Sequence, residues 1–488
     1  MRSSGNDIYR FGPFELDSTR RRLIRDGEPI LVSDRHLEIL LLLAANAGRV
    51  ISKDELIETA WKDVAVADNS IEQAISNLRK TLGTQSDGTS YIETLTRRGY
   101  RFGAPVERGK PRHSDASLDA LLAPYRAFVE GRVALETLDR DALTRARDAF
   151  AQALSTEPDY PSAHIGMANA CILAFESTRA DATPDAQALA RAAHHAREGC
   201  RLDASSGEAW STLAFVLHRS GDAPAAMAAA RKAVMLDPDN WHHHLRLAFV
   251  SWGEERLRAA QRVLALCPGL ALAYWFAATV FVARQAFDAA LDELRAGCAS
   301  QDAQRTETGR FKAVGLHLLH GLVLAAQGSE DRALEQFARE LDFEADGQLY
   351  ARECCANTWY SIGAIHLRRG RAQDARLAFQ EALARVPGHA LAAAAGGTGV
   401  LRGPEGSAPR SLAVPQSQQN NVDAAIAKAV ALALQGTHDD AARVCGDALA
   451  HAEPGPAGWI LPVEPLLNPL DHQESWARTL AMLRDRAA

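Results

Sequence analysis

Two stretches decide how this chain reads: Ser70-Ile-Glu-Gln-Ala-Ile-Ser-Asn-Leu-Arg-Lys-Thr-Leu82 and Tyr91-Ile-Glu-Thr-Leu-Thr-Arg-Arg-Gly-Tyr-Arg-Phe102. In the first, Ile71, Ala74, Ile75, Leu78 and Leu82 recur at helical spacing and make one apolar face. Gln73, Ser76, Asn77 and Lys80 form the opposite stripe at i, i+3, i+4 and i+7. A short helix with one buried face and a polar stripe is what a major-groove reader requires. Gln and Asn make bidentate contacts with adenine, Ser bonds several base edges, and Arg79 and Lys80 suit phosphates or guanine. A merely solvated helix face carries the same pattern, so the helix alone does not decide. In the second stretch, Tyr91–Leu95 and Tyr100–Phe102 are β-like segments flanking Arg97-Arg98-Gly99, which reads as a hairpin.

Upstream, the parts of a small α+β domain follow in order. Tyr9–Leu16 (YRFGPFEL) is β-like, with aromatics at alternating positions, and Arg22–Ile24 and Ile30–Val32 are short apolar runs split by the turn dipeptide Asp26-Gly27. Ser33 caps a helix through Leu37, Leu40, Leu41 and Ala44, which ends at Ala47-Gly48. Ser52-Lys53-Asp54-Glu55 is a capping box opening a second helix toward Trp61. Strands, three helices and a terminal basic hairpin are the components of a winged helix.

Over residues 8–103 these segments closely resemble the OmpR/PhoB-type winged-helix family, including Phe11-Gly-Pro-Phe14, the Leu-Arg-Lys-x-Leu ending at Leu82 and the Arg-Gly-Tyr-Arg-Phe wing ending at Phe102. The resemblance implies that helix 70–82 enters the major groove and that Arg97 and Arg98 reach the backbone or minor groove. The candidate DNA-binding set is Gln73, Ser76, Asn77, Arg79, Lys80, Thr96, Arg97, Arg98 and Arg101. It also implies that the loop Lys62–Asp68, after Trp61, touches RNA polymerase, with Trp61, Lys62, Asp63 and Val64 as candidate contacts. Ser76-Asn77 stand where many relatives are basic, so base preference does not transfer. Two-component relatives place a receiver before the winged helix, and the start at residue 8 leaves no room for one. That order resembles the ToxR/CadC-like and HilA-like regulators, whose membrane members carry an apolar span after the linker. This chain has none there, which favours a soluble, cytoplasmic protein.

Residues 104–117 read as a linker. Beyond it the chain repeats. Counting from Ala356, Trp359, Ile362, Gly363, His366, Gly370, Ala375, Phe379, Ala382 and Pro387 occupy places 4, 7, 8, 11, 15, 20, 24, 27 and 32 of a 34-residue unit. Counting from Gly207, Trp210, Leu213, Ala214, Leu217, Gly221, Ala226, Ala233 and Pro238 fall at the same places, 24 excepted. Each unit reads as two antiparallel helices. Small residues at 8, 20 and 27 let backbones approach, bulky ones fill the gaps, glycine turns and proline stops. Units recur near 122–158, 162–203, 207–240, 241–269, 271–302, 314–346 and 356–389, the fourth being short. They resemble the tetratricopeptide repeat (TPR), and about seven pairs fill 118–395. Residues 396–421 read as a flexible loop, and 422–488 as a final helix pair with an extended Pro-rich stretch and a capping helix. The expected fold is therefore multidomain: an N-terminal α+β winged helix-turn-helix followed by an all-α TPR superhelix.

Composition agrees with this order and narrows function. Of 488 residues, 47% are hydrophobic and 24% charged, which excludes a disordered or fibrous chain, and only 6% are aromatic amid runs of alanine, which favours helices. Residues 1–110 hold 17 Lys and Arg against 16 Asp and Glu, while the rest hold 37 against 45. Contact with nucleic acid must then be local, without bulk attraction. Seven scattered cysteines read as free thiols in a reducing compartment. The 21 uncharged residues Val263–Ala283 are long enough to cross a bilayer, but Cys267-Pro268-Gly269 breaks them into two helices. No P-loop, HExxH or GxSxG motif occurs, so the chain reads as a non-enzyme that needs no cofactor. His317, His320 and His366 with Cys354-Cys355 read as repeat-packing residues, with a metal or thiol sensor as the less favoured reading.

The sequence thus reads as a DNA-binding transcriptional regulator, with promoter DNA and RNA polymerase as partners. An unidentified protein, peptide or small-molecule ligand is expected at the TPR groove, and a homodimer is compatible with it. The alternative is a TPR adaptor whose winged helix docks to polymerase or another partner.

Overall fold

Short alternating segments form strands at the N-terminal end, and capped apolar stripes form helices thereafter. The computed structural model describes residues 8–18, 21–26, 28–60, 68–85, 87–96, 98–109, 115–135, 140–304, 313–344, 349–397 and 420–488. Contacts divide the chain into two compact units, Met1–Leu173, Gln187–Arg246 and Ala265–Pro268 in the first, and Ala174–Ala186, Leu247–Leu264 and Gly269–Ala488 in the second.

The first unit opens with an α+β head. Its strands are β1 (Ile8–Phe11), β2 (Phe14–Asp17), β3 (Arg22–Arg25), β4 (Glu28–Ile30) and β5 (Val50–Ile51), with β6 (Ile92–Leu95), β7 (Gly99–Phe102) and β8 (Glu107–Gly109) following its helices. Those helices are α1 (Asp34–Ala45), α2 (Lys53–Ala60) and α3 (Asp68–Leu82). One sheet runs β4-β3-β2-β1-β8 and the other β5-β7-β6, all antiparallel. The stretch Tyr9–Leu16 is a hairpin rather than one strand. Gly12-Pro13 turns the chain so that Phe11 pairs with Phe14, and both rings enter the core. There Phe11 meets Phe14 at 5.5 Å and Phe102 at 4.9 Å between ring centres, joining both ends of the head. The segment read as linker is shorter than expected, because Glu107–Gly109 pairs with β1 and closes the first sheet. Backbone groups left at a sheet edge seek partners, and a flanking segment supplied them. The capping box forms as read: the Glu55 amide donates to Ser52 Oγ (3.1 Å) and the Ser52 amide to Glu55 Oε2 (2.9 Å).

Helix pairs follow, α4 (Asp115–Ala134) with α5 (Arg140–Thr156), α6 (Pro161–Thr178) with α7 (Ala186–Leu202), and α8 (Gly207–Arg219) with α9 (Ala223–Leu236). Then come α10 (Trp241–Val250), α11 (Gly253–Leu266), α12 (Ala271–Ala283), α13 (Phe287–Gln304), α14 (Leu316–Ala326), α15 (Glu330–Leu341), α16 (Ala351–Arg368) and α17 (Ala372–Arg385). The array ends with α18 (Ala390–Gly396), α19 (Asn420–Ala433), α20 (His438–His451) and α21 (Gln473–Ala487). The reason for small residues at place 8 is visible in the packing. A Cβ on Gly363 would lie 2.6 Å from the Phe379 ring, and one on Gly321 2.4 Å from Phe337, the bulky residue at place 24 of each unit. The uncharged run 263–283 breaks at Gly269, between α11 and α12, and no described helix is long and apolar enough to cross a membrane. The Pro-rich stretch is not extended. It folds into turns and one 3-10 turn (Leu461–Val463) whose side chains are buried. The core of the loop read at 396–421 lies outside the described residues.

Candidate nucleic-acid interface

The period of α3 places its two faces as expected. Ile71, Ala74, Ile75, Leu78 and Leu82 are buried, the least covered of them 4% exposed, in the core shared with α1 and the sheets. That anchors the helix and turns the opposite stripe outward. Gln73 and Lys80 are exposed, and Ser76 and Asn77 are half-buried. The Asn77 backbone carbonyl accepts a bond from the Thr81 hydroxyl (3.0 Å).

Arg79 is placed differently from its neighbours. Its guanidinium donates to the Ile92 carbonyl (2.9 Å) and to the Thr94 hydroxyl (2.6 Å), tying α3 to the first wing strand. Its charge lies at the junction of helix and wing rather than out on the stripe. In the wing, Glu93 stands opposite Arg101 in the strand register, and the pair is bridged at 2.5 Å. The charge of Arg101 is thereby offset. Thr96 and Arg98 stand exposed at the tip, where the Arg98 amide closes the turn on the Leu95 carbonyl (2.9 Å). The wing is held by β5, through Val50 opposite Arg101 and Ile51 opposite Tyr100. Arg97 and the loop containing Trp61, Lys62, Asp63 and Val64 lie outside the described residues.

The structure therefore brings Gln73, Ser76, Asn77 and Lys80 together on one helix face, with Arg79 joining that helix to the wing that carries Thr96, Arg98 and Arg101. Sequence reading missed Arg35, in the first turn of α1, which shares a cleft with Gln73 and Asn77. A lone cation in a first helical turn reads as solvated, and only the packing of α1 beside α3 reveals its position. Of the histidines and cysteines singled out in the repeats, His317, His320 and Cys355 are buried. His317 bonds to Gln336 (2.8 Å) and Asp302 (3.0 Å), and no cluster able to hold a metal occurs among the described residues. Burial pulls the His320 imidazole down to about 4 and pushes the Cys355 thiol up to about 12, so both are neutral near neutral pH.

Residues 27–102 match the family described as "Transcriptional regulatory protein, C terminal". The chain is 33% identical over 100 residues to the transcriptional activator CadC of Escherichia coli (strain K12), covering 20% of each protein. It is 36% identical over 138 residues to the cholera toxin homolog transcriptional activator of Vibrio parahaemolyticus, covering 28% of this chain and 46% of that protein. The chain thus spans less than half the length of these curated relatives. Among solved structures, a tetratricopeptide repeat protein from Parabacteroides merdae aligns at 13% identity with a TM-score of 0.38, covering 53% of this chain and 93% of that one. The N-terminal head is a winged-helix domain of the OmpR/PhoB type, and an all-helical region of TPR-like pairs follows it.

Proposed function

We propose that the chain is a sequence-specific, non-enzymatic transcriptional regulator that binds promoter DNA through its head and receives a ligand or protein partner on its helix pairs. The observation that carries this reading is the face of α3. Its apolar side is fully committed to the core, while Gln73, Ser76, Asn77 and Lys80 remain on one stripe. Gln73 and Asn77 read adenine edges, Ser76 bonds a neighbouring base, and Lys80 takes a phosphate or guanine. Thr96, Arg97, Arg98 and Arg101 hold the backbone or minor groove, and Arg79 fixes the angle between wing and helix. Residues 61–64 contact RNA polymerase. The chain works in the cytoplasm, where its cysteines stay reduced.

Selection of bound sequences from a random duplex pool by the full chain tests the reading. One preferred sequence is expected, and recovery of unselected sequences would sink it. On that sequence, Gln73→Ala and Asn77→Ala should each cost about 1–3 kcal/mol and relax preference at one base position. Binding isotherms on matched and single-mismatch duplexes check this, and unchanged preference in both variants would show that the stripe does not face bases.

The cations should act differently. Lys80 and Arg98 are exposed, and each phosphate neutralised adds about 0.9 to the slope of log affinity against log salt. The double variant Lys80→Ala/Arg98→Ala should lower that slope by about 1–2, with equal weakening on all sequences. Affinity measured across a salt series decides it, an unchanged slope placing both residues clear of the phosphates.

A further inference from the structure

The reading stripe is not open along its whole length. Ser70, Gln73 and Asn77 line one cleft with Leu236, Asp237 and Asp239, which come from the end of α9 and the turn after it. Polar ties hold the head at that place. Arg35 pairs with Asp237 across 2.8 Å. Next to it, Asp34 accepts a hydrogen bond of 2.7 Å from the hydroxyl of Ser162, in the first turn of α6. Arg21, its side chain 8% exposed, backs this bond by sitting between Asp34 and Glu38. All of these residues lie in the first compact unit. The apolar core of the head, from Tyr9 to Ala104, closes within the head itself, so the ties to the helix pairs sit outside it.

The fit of a helix to DNA makes this arrangement consequential. An α-helix with its side chains is about 10–12 Å across, and the major groove is about 12 Å wide. Backbone lying along one edge of the reading helix has no room in that groove. The carboxylates of Asp237 and Asp239 would also meet the phosphates that flank it, a repulsion between like charges. Meanwhile Asp237 neutralises Arg35, a cation beside the stripe that would otherwise attract DNA. We propose that the helix pairs hold the head in a masked form, with the 237–239 turn covering the Ser70–Asn77 edge of α3. DNA then binds only the population in which Arg35 has left Asp237 and Asp34 has left Ser162. Apparent affinity is reduced by the masked fraction, and anything that separates these contacts raises it.

The proposal rests on the DNA-binding reading above, and the experiment separates the two. It uses the full chain and a duplex chosen by wild-type selection. Ser162→Asp sets a carboxylate against Asp34 while occupying a helix N-terminal position where negative charge favours the helix. It makes the chain more acidic, so bulk electrostatics alone would weaken DNA binding. Masking demands the opposite: affinity should rise by about three- to tenfold. Asp237→Arg, which repels Arg35, should raise it as well. Tighter binding by both variants, with a larger radius of gyration in solution scattering, supports masking. Tighter binding by Asp237→Arg alone means that added positive charge is the cause and overturns it. Equal, selective binding by all three proteins overturns masking and leaves the DNA-binding reading standing. Absence of selective binding by any of them overturns both.

Discussion

Gly99→Ala should destabilise the head by about 3–5 kcal/mol and abolish its binding to DNA, because two penalties coincide at that residue. The backbone there has φ +123, a region that side chains rarely adopt, and a Cβ would lie 2.0 Å from the Ile51 carbonyl oxygen and 3.0 Å from the Ser52 Cα. Neither obstacle is a flexible side-chain end, so β7 must move away from β5. The register of Ile51 with Tyr100 opens, and Tyr100 and Phe102, 4% and 0% exposed, lose their packing. Domains are stable by only about 5–15 kcal/mol, so this removes a large share. Gly48→Ala is the matched control. Gly48 also has a positive φ, +82, but nothing lies within 4 Å of the added carbon. It should cost only about 1–2 kcal/mol, the left-handed penalty alone. Hydrogen exchange of peptides spanning 91–102, read alongside thermal unfolding, checks the contrast. Equal effects of the two substitutions would mean that the wing tolerates separation from β5.

The second large effect is a dependence on pH in the second unit. Glu464 is 1% exposed and receives three bonds: from the Tyr360 hydroxyl on Oε1, and from the amides of Leu466 (3.0 Å) and Leu467 (2.6 Å) on Oε2. This carboxyl latches the 454–469 segment onto α16. Burial raises it most, the three bonds pull it back, and the balance leaves it at about 7 against an ordinary 4.5. A group raised in the folded state binds its proton more tightly there than in the unfolded chain. Its contribution is therefore complete below about pH 4.5 and is lost as pH rises through 7, a change of about 3 kcal/mol. His320 and His389, pulled down to about 4 by burial, act in the opposite sense. The difference between wild type and Glu464→Gln isolates the carboxyl: it should narrow or reverse as pH goes from 5 to 8. Denaturant midpoints of both proteins at each pH measure it. Parallel profiles would show that Glu464 does not titrate in this window.

Much of the head was legible because its signals are local. The stripe and core face of α3 follow from helical period, and the Ser52–Glu55 box from residues three apart. The repeat register follows from glycine and phenylalanine places that recur along one chain. Over Tyr9–Leu16 the alternation of buried residues slips once, from Phe11 to Phe14, and that slip marks the Gly12-Pro13 turn, which keeps both arms facing the same core. Residues 104–117 read as a linker because strand Glu107–Gly109 has no apolar pattern of its own, and pairing with β1 is what makes it a strand.

The sequence by itself determined which residues form α3 and which of its faces is buried, because both depend on neighbours a few residues away along one helix. It also determined that most of the described chain beyond the head is paired helices. Tertiary structure alone decided how the charges are used. Arg79 reads as a cation suited to phosphates or guanine until β6 brings the Ile92 carbonyl and Thr94 to it, and Arg101 is offset only because the wing register sets it opposite Glu93. Arg35 and Asp237 are 202 residues apart, yet they meet at 2.8 Å beside α3. No period or motif encodes such a pair. It exists because two surfaces far apart in sequence pack together, and a charge takes its role from what that packing places next to it.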